Sequence, residues 1–82
     1  PRIANILVKL AGKLGNPEGA GIVLNLALTR QDLADMGGTT VETTIRVMSR
    51  FTKKKIIKPA NGKILILDLQ ALQRISEGKE IS

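Results

Sequence analysis

Thr29-Arg30-Gln31-Asp32-Leu33-Ala34-Asp35-Met36-Gly37-Gly38-Thr39-Thr40-Val41-Glu42-Thr43-Thr44-Ile45-Arg46 holds two helix starts separated by a glycine pair. Thr29 is a capping residue type. Asp32, three residues on, sets a carboxylate beside the free amides of a first helical turn. Leu33, Ala34 and Met36 supply that helix with an inner face. Gly37-Gly38-Thr39 then interrupts it after about two turns. Another helix opens with the capping-box pattern Thr39-Thr40-Val41-Glu42. Along it Thr44, Val47, Met48 and Phe51 recur at i, i+3, i+4 and i+7, a spacing that turns them inward. Glu42, Ile45, Arg46 and Ser49 repeat the spacing one face over and point outward. An inward threonine costs stability unless its hydroxyl bonds back to the preceding turn, so Thr44 needs that bond.

The flanks supply the rest of a domain. Upstream, Ile3, Leu7, Leu10 and Leu14, with Ile6 and Ala11 beside them, read as an amphipathic helix from Arg2 to Leu14. Gly15-Asn16-Pro17-Glu18-Gly19-Ala20-Gly21 reads as a surface loop. Leu24, Leu26 and Leu28 alternate with Asn25 and Ala27, the period of a short half-buried strand. Downstream, Ile56 to Ala60 and Lys63 to Leu67 flank Asn61-Gly62, the residue pair of a type I′ hairpin turn with positive φ at both positions. Asp68 caps a last helix running from Leu69 to about Glu77. This order is that of an α+β winged helix-turn-helix, with a three-helix core, a two-stranded wing hairpin and a short C-terminal helix. In such a fold a short helix braces the next one across a tight turn, which frees the outer face of the second helix to enter a major groove. Small residues are needed where the helices touch and where the turn reverses, and Ala34 and Gly38 supply them.

Composition narrows the chemistry. At 82 residues the chain is expected to form one domain, residues 1–82. With 43% apolar residues and Phe51 as its single aromatic, it has an aliphatic core and no stacking platform for single-stranded nucleic acid. Cysteine and histidine are absent, which excludes disulfides, thiolate or imidazole metal sites and ordinary triads. What remains, Ser, Thr, Lys and carboxylates, forms no paired constellation, so no catalytic residue, metal or cofactor is expected and an enzyme is disfavoured. No apolar run approaches the roughly 20 residues of a membrane span, and residues 1–13 lack the pattern of a signal peptide. A soluble, cytoplasmic protein is expected. The net charge is +6, and its distribution is uneven. Between Thr40 and Lys63 seven bases, Arg46, Arg50, Lys53, Lys54, Lys55, Lys58 and Lys63, face one acid, Glu42, while the rest of the chain balances. A contiguous basic segment on a helix-turn-helix suits nucleic acid, although a lysine cluster is also an ordinary solvated face.

The Thr29 to Arg46 segment resembles the helix-turn-helix of the CRP/FNR family of bacterial transcription regulators. The similarity extends from Arg2-Ile3-Ala4 at the start of the first helix to Asn61-Gly62-Lys63 at the wing. It implies sequence-specific binding of double-stranded DNA, with a recognition helix at about residues 40–52. In that family the DNA-binding domain follows an effector-sensing β-roll and a long dimerisation helix. The resemblance therefore implies that this chain is the C-terminal output module of a longer regulator. The full-length protein would be a homodimer on an inverted-repeat operator, and the isolated domain a monomer with no cofactor of its own. RNA polymerase is a further partner the family suggests, through a surface resembled by Asn16-Pro17-Glu18-Gly19, which otherwise reads as a plain exposed loop. The exposed faces of Ile3, Ile6 and Leu10 are expected to pack on the missing domain.

Residue roles follow from chemistry and from matching positions. Glu42 and Arg46 lie four apart on one helix face. Arginine bridges guanine O6 and N7, and a carboxylate accepts from cytosine N4. The matching family positions imply that this pair reads a TGA-type half-site core. The competing readings are a capping glutamate or a surface ion pair. Val41 stands where the cyclic-AMP-dependent branch carries a further base-reading arginine, so the stretch instead resembles the oxygen- and nitric-oxide-responsive branch, which reads a TTGA-like half-site. Val41 and Ile45 would present methyl groups to a thymine methyl, unless Ile45 belongs to the core at another helical rotation. Thr29, Arg30 and Gln31 open the bracing helix, where free amides favour a phosphate. Thr40, Thr43 and Arg50 flank the readout face, and Lys63 lies on the wing, each placed for phosphate contact. From another functional class, the same fold could act as a protein-interaction module whose basic helix meets an acidic partner.

Overall fold

The computed structural model describes residues 2–19, 21–25, 28–60 and 62–78. Helix α1 (Arg2–Leu14) leads into strands β1 (Gly15–Glu18) and β2 (Gly21–Leu24), followed by helices α2 (Arg30–Gly37) and α3 (Val41–Lys53). Strands β3 (Ile57–Ala60) and β4 (Lys63–Ile66) form the wing, and α4 (Leu69–Ser76) follows it. The architecture is α+β, a winged helix-turn-helix with the expected helices in the expected order.

The sheet is larger than the sequence suggests. It has four antiparallel strands in the order β1-β2-β4-β3, so the two-stranded wing continues into a second hairpin on its inner edge. The wing pairs Ile57 with Ile66 and Ala60 with Lys63, and β2 adds to it by pairing Ile22 with Ile66 and Leu24 with Ile64. Gly15–Glu18 and Gly21 thus lie in strands, and the stretch read as a surface loop is not a plain one. Their glycines serve close approach: a Cβ on Gly21 would stand 2.6 Å from the Ile66 carbonyl oxygen, and one on Gly15 would stand 2.5 Å from the Ala11 carbonyl oxygen. Pro17 sits in β1, an edge strand, where a missing amide hydrogen is tolerated. The strand expected along residues 24–28 lies earlier, at Gly21–Leu24, and Leu28 is half-buried beyond its end. Ala20, Leu26, Ala27 and Asn61 lie outside the described residues, so the hairpin turn is represented by Gly62 alone, at φ 75°.

One aliphatic core joins all the layers. Leu7 of α1, Leu33 of α2, Phe51 of α3, Ile57 and Ile66 of the wing and Leu72 of α4 are all buried in it. Fully burying a side chain of this size is worth about 1.5–3 kcal/mol, and this burial is what fixes α3 against the sheet. Ile3 and Ile6 are buried inside the chain, contrary to the expectation that they await another domain. The cause is Gly37, where a Cβ would stand 3.1 Å from Cδ1 of Ile6 and 3.4 Å from Cδ1 of Ile3. Leu10 remains half-buried. Met36, expected on the inner face of α2, is 51% exposed, because Leu33 and Ala34 already fill the contact of this eight-residue helix. Met36 instead lines a shallow groove with Ile6, Lys9, Leu10 and Lys13.

The end of α3 has a backbone feature of its own. The Ile56 amide donates to the Phe51 carbonyl at 2.9 Å and the Lys55 amide to the Thr52 carbonyl at 3.0 Å, a Schellman closure that buries Ile56 beside Phe51. Lys55 takes the left-handed position of that motif at φ 59°, where glycine is the usual occupant. Among the described residues no helix is long and apolar enough to cross a membrane.

Candidate nucleic-acid interface

The bracing helix begins with a reciprocal cap. Thr29 Oγ1 accepts from the Asp32 amide at 3.0 Å, and Asp32 Oδ2 accepts from the Thr29 amide at 3.0 Å. Gln31 Nε2 donates to Asp35 Oδ1 at 2.8 Å, which steadies the exposed side of the same turn. At the other end of α2, Gly38 adopts a left-handed conformation at φ 63°, and the Thr39 amide donates to the Ala34 carbonyl at 2.9 Å. Thr39 is thereby committed to closing α2.

The cap of α3 falls one residue later than the sequence pattern indicated. Thr40 is the N-cap, with Oγ1 accepting from the Thr43 amide at 3.1 Å. Thr40 Oγ1 also donates to Thr43 Oγ1 at 3.0 Å. Glu42 therefore sits in the second helical position, where it cannot close a capping box. Its carboxylate accepts from Arg46 Nη2 at 2.7 Å, with Arg46 70% and Glu42 77% exposed. Of the readings open from sequence, the capping role is removed. The ion pair is present, and it leaves both side chains facing solvent.

Buried anchors set the rotation of α3. Thr44, Met48 and Phe51 are buried, and Thr44 Oγ1 donates to the Thr40 carbonyl at 2.9 Å, the bond an inward threonine needs. Ile45 is 50% exposed, so it does not belong to the core. Val41 is half-buried at the first turn. Ile45, Arg46, Ser49, Arg50 and Lys53 line one concave strip along the outer face of α3, and the wing does not cover it.

The residues expected from sequence to contact phosphate divide into two groups. Thr40, Thr43 and Arg50 are exposed on α3 or at its cap, beside the Glu42–Arg46 pair. Thr29 and Gln31 are exposed at the start of α2. Arg30 is half-buried and lines a cleft with Lys63, between the start of α2 and the wing. Leu28, Pro59 and Gly62 are among the residues of its walls. The fold thus joins two cations that sequence reasoning treated separately, and no local pattern could have paired them. Lys53, Lys54, Lys55 and Lys58 are all exposed around the C-terminal end of α3 and the start of the wing.

A braced helix with an uncovered, base-rich outer face, flanked by a basic wing, defines a winged helix-turn-helix DNA-binding domain. Comparison with known proteins makes the assignment more particular. Residues 1–75 match the model of the Crp-like helix-turn-helix domain, and the chain belongs to that family, the DNA-binding domains of CRP/FNR transcription regulators. Among its relatives are the nitrogen fixation regulation protein FixK of Azorhizobium caulinodans, 32% identical over 90% of this chain and 31% of that protein. The electron transport regulator A of Shewanella oneidensis is 31% identical over 99% of this chain and 32% of its own length. The solved structure of the CO-dependent transcription factor CooA from Carboxydothermus hydrogenoformans superposes with a TM-score of 0.84 at 35% identity, covering 92% of this chain and 36% of that one. The chain spans about a third of the length of the curated relatives it matches.

Proposed function

We propose that α3 enters the major groove of double-stranded DNA and reads a TGA-containing half-site, as the output step of a bacterial transcription regulator. The observation that carries this reading is the Glu42–Arg46 pair, joined at 2.7 Å yet exposed on the uncovered face of α3. Arg46 bridges guanine O6 and N7, and Glu42 accepts from cytosine N4 while holding the guanidinium in plane. Val41 and Ile45 contact neighbouring base edges. Thr29, Gln31 and the Arg30–Lys63 cleft hold backbone on one side of the half-site, and Thr40, Thr43 and Arg50 hold it on the other.

In the same proposal residues 1–82 form one DNA-binding domain that acts beside an effector-sensing domain and a dimerisation helix. The full regulator is then a cytoplasmic homodimer on an inverted repeat. Two linked half-sites bind more tightly than one, because the second contact is made at high effective concentration. The exposed edge strand β1 at Asn16, Pro17 and Glu18, with Gly19 after it, is the surface offered to RNA polymerase.

Selection of bound duplexes from a random pool, followed by salt titration on the selected and scrambled sequences, tests the reading. A DNA reader enriches one motif containing TGA, prefers it by orders of magnitude and loses affinity steeply with salt. Weak binding with no enriched motif would favour the protein-interaction reading, in which the same basic face meets an acidic partner.

A further inference from the structure

Ile45 is an isoleucine set among cations. Arg46, Ser49, Arg50 and Lys53 line its strip, yet its own side chain is half exposed and packs into no core. Among the described residues the other large apolar side chains of comparable exposure, Leu14, Met36 and Leu67, lie away from this face. Ile45 cannot turn inward, because Thr44, Met48 and Phe51 fill the inner side and the Thr44 hydroxyl is bonded to Thr40. A β-branched side chain in a helix keeps essentially one χ1 rotamer, so the methyl groups of Ile45 are presented in a fixed direction. The surrounding cations bring this strip against a polyanion, and the apolar group that a major groove offers is the C5-methyl of a pyrimidine.

We propose that Ile45 reads a pyrimidine C5-methyl, so that thymine and 5-methylcytosine look alike to it and cytosine does not. The proposal rests on the DNA-reading assignment of α3 and adds a sensitivity to cytosine methylation. Thymine and cytosine differ at C4, where one carries an acceptor and the other a donor, and at C5, where only thymine carries a methyl. Isoleucine has no polar atom with which to sense C4. Burying one methyl against it is worth about fourfold in affinity. Ile45 follows Glu42 by three residues and precedes Ser49 by four, so its base pair adjoins the one read by the Glu42–Arg46 pair.

The test uses the selected duplex with each thymine replaced singly by deoxyuridine, a change that removes only the methyl. Binding of the wild-type protein and of Ile45→Ala is measured by fluorescence anisotropy, with circular dichroism confirming that the variant is folded. At one thymine, deoxyuridine weakens wild-type binding about fourfold and leaves Ile45→Ala unaffected. At that position cytosine binds weakly, and 5-methylcytosine recovers about fourfold over it. The proposal is overturned if every thymine tolerates deoxyuridine, or if the loss persists undiminished in Ile45→Ala, which would assign the methyl to another side chain. In either case a position-specific loss in Arg46→Ala would leave the base-reading assignment standing. Equal binding to all duplexes would remove both.

Discussion

Arg46→Ala removes a guanidinium that is 70% exposed and joined to Glu42 at 2.7 Å. In the free protein the loss is one solvent-exposed i,i+4 ion pair, worth about 0.3–0.5 kcal/mol. Alanine is also the better helix former, which offsets part of that loss. For a domain of this size the midpoint of thermal unfolding moves by no more than about 2–3 °C. In the proposed DNA complex the same guanidinium spans two acceptors of one guanine, and its removal is then expected to cost about 1–3 kcal/mol at one base pair, roughly 5- to 150-fold in Kd. Preference at that pair collapses while preference elsewhere in the half-site is kept. The assay is fluorescence anisotropy on the selected duplex and on single-base-pair variants of its core, with thermal unfolding followed by circular dichroism. An equal loss on every duplex would reduce Arg46 to a phosphate contact and refute the base-reading argument. A fall of 10 °C in the midpoint would show that the pair holds the fold together rather than reading DNA.

Lys63→Ala should weaken binding evenly across sequences and lower the slope of log K against log salt by about one, because a phosphate contact carries no base information. Salt titration of the selected and scrambled duplexes checks it. Lys55→Gly should stabilise the protein by about 0.5–1 kcal/mol, since glycine takes the left-handed φ of 59° without the cost a side chain incurs there; urea unfolding measures this, and a loss of stability would count against the argument. Gly21→Ala should destabilise by about 1–3 kcal/mol, because its Cβ would stand 2.6 Å from the Ile66 carbonyl oxygen and must push β2 away from β4. Amide exchange in the wing should rise with it. Thr44→Val should raise the unfolding midpoint, since the Thr40 carbonyl keeps the Thr44 amide at 3.0 Å as a donor after the hydroxyl is gone, and a buried polar atom is replaced by a methyl.

Which features the sequence makes visible depends on whether their cause is local. The division of α3 into an inner face of Thr44, Met48 and Phe51 and an outer face of Glu42, Ile45 and Arg46 is local, because 3.6-residue periodicity needs no knowledge of the partner surface. The Thr29 cap and the Asp68 cap, whose Oδ1 accepts from the Ala71 amide at 3.0 Å, are local for the same reason. The cap of α3 is a closer contest. Thr39 and Thr40 are equal candidates by type, and the choice falls to Thr40 only because the Thr39 amide is drawn back to Ala34 by the turn that closes α2.

The β1–β2 hairpin shows the opposite case. Three glycines and a proline in seven residues signal a break when read along the chain, yet Gly15 and Gly21 are small because Ala11 and Ile66 approach them, and Ile66 lies far away in sequence. Ile3 and Ile6 likewise look available until Gly37 lets them in. The same logic governs the interface. The Glu42–Arg46 pair is an i,i+4 feature and can be read in advance, whereas the Arg30–Lys63 cleft exists only because the wing folds back beside the start of α2. In the proposed mode of binding, contacts that read sequence therefore sit on one helix, where a substitution is expected to alter a single base preference. The contacts proposed to set affinity are shared between elements, so a change that shifts the wing, such as Gly21→Ala, should weaken binding to all duplexes without altering which one is preferred.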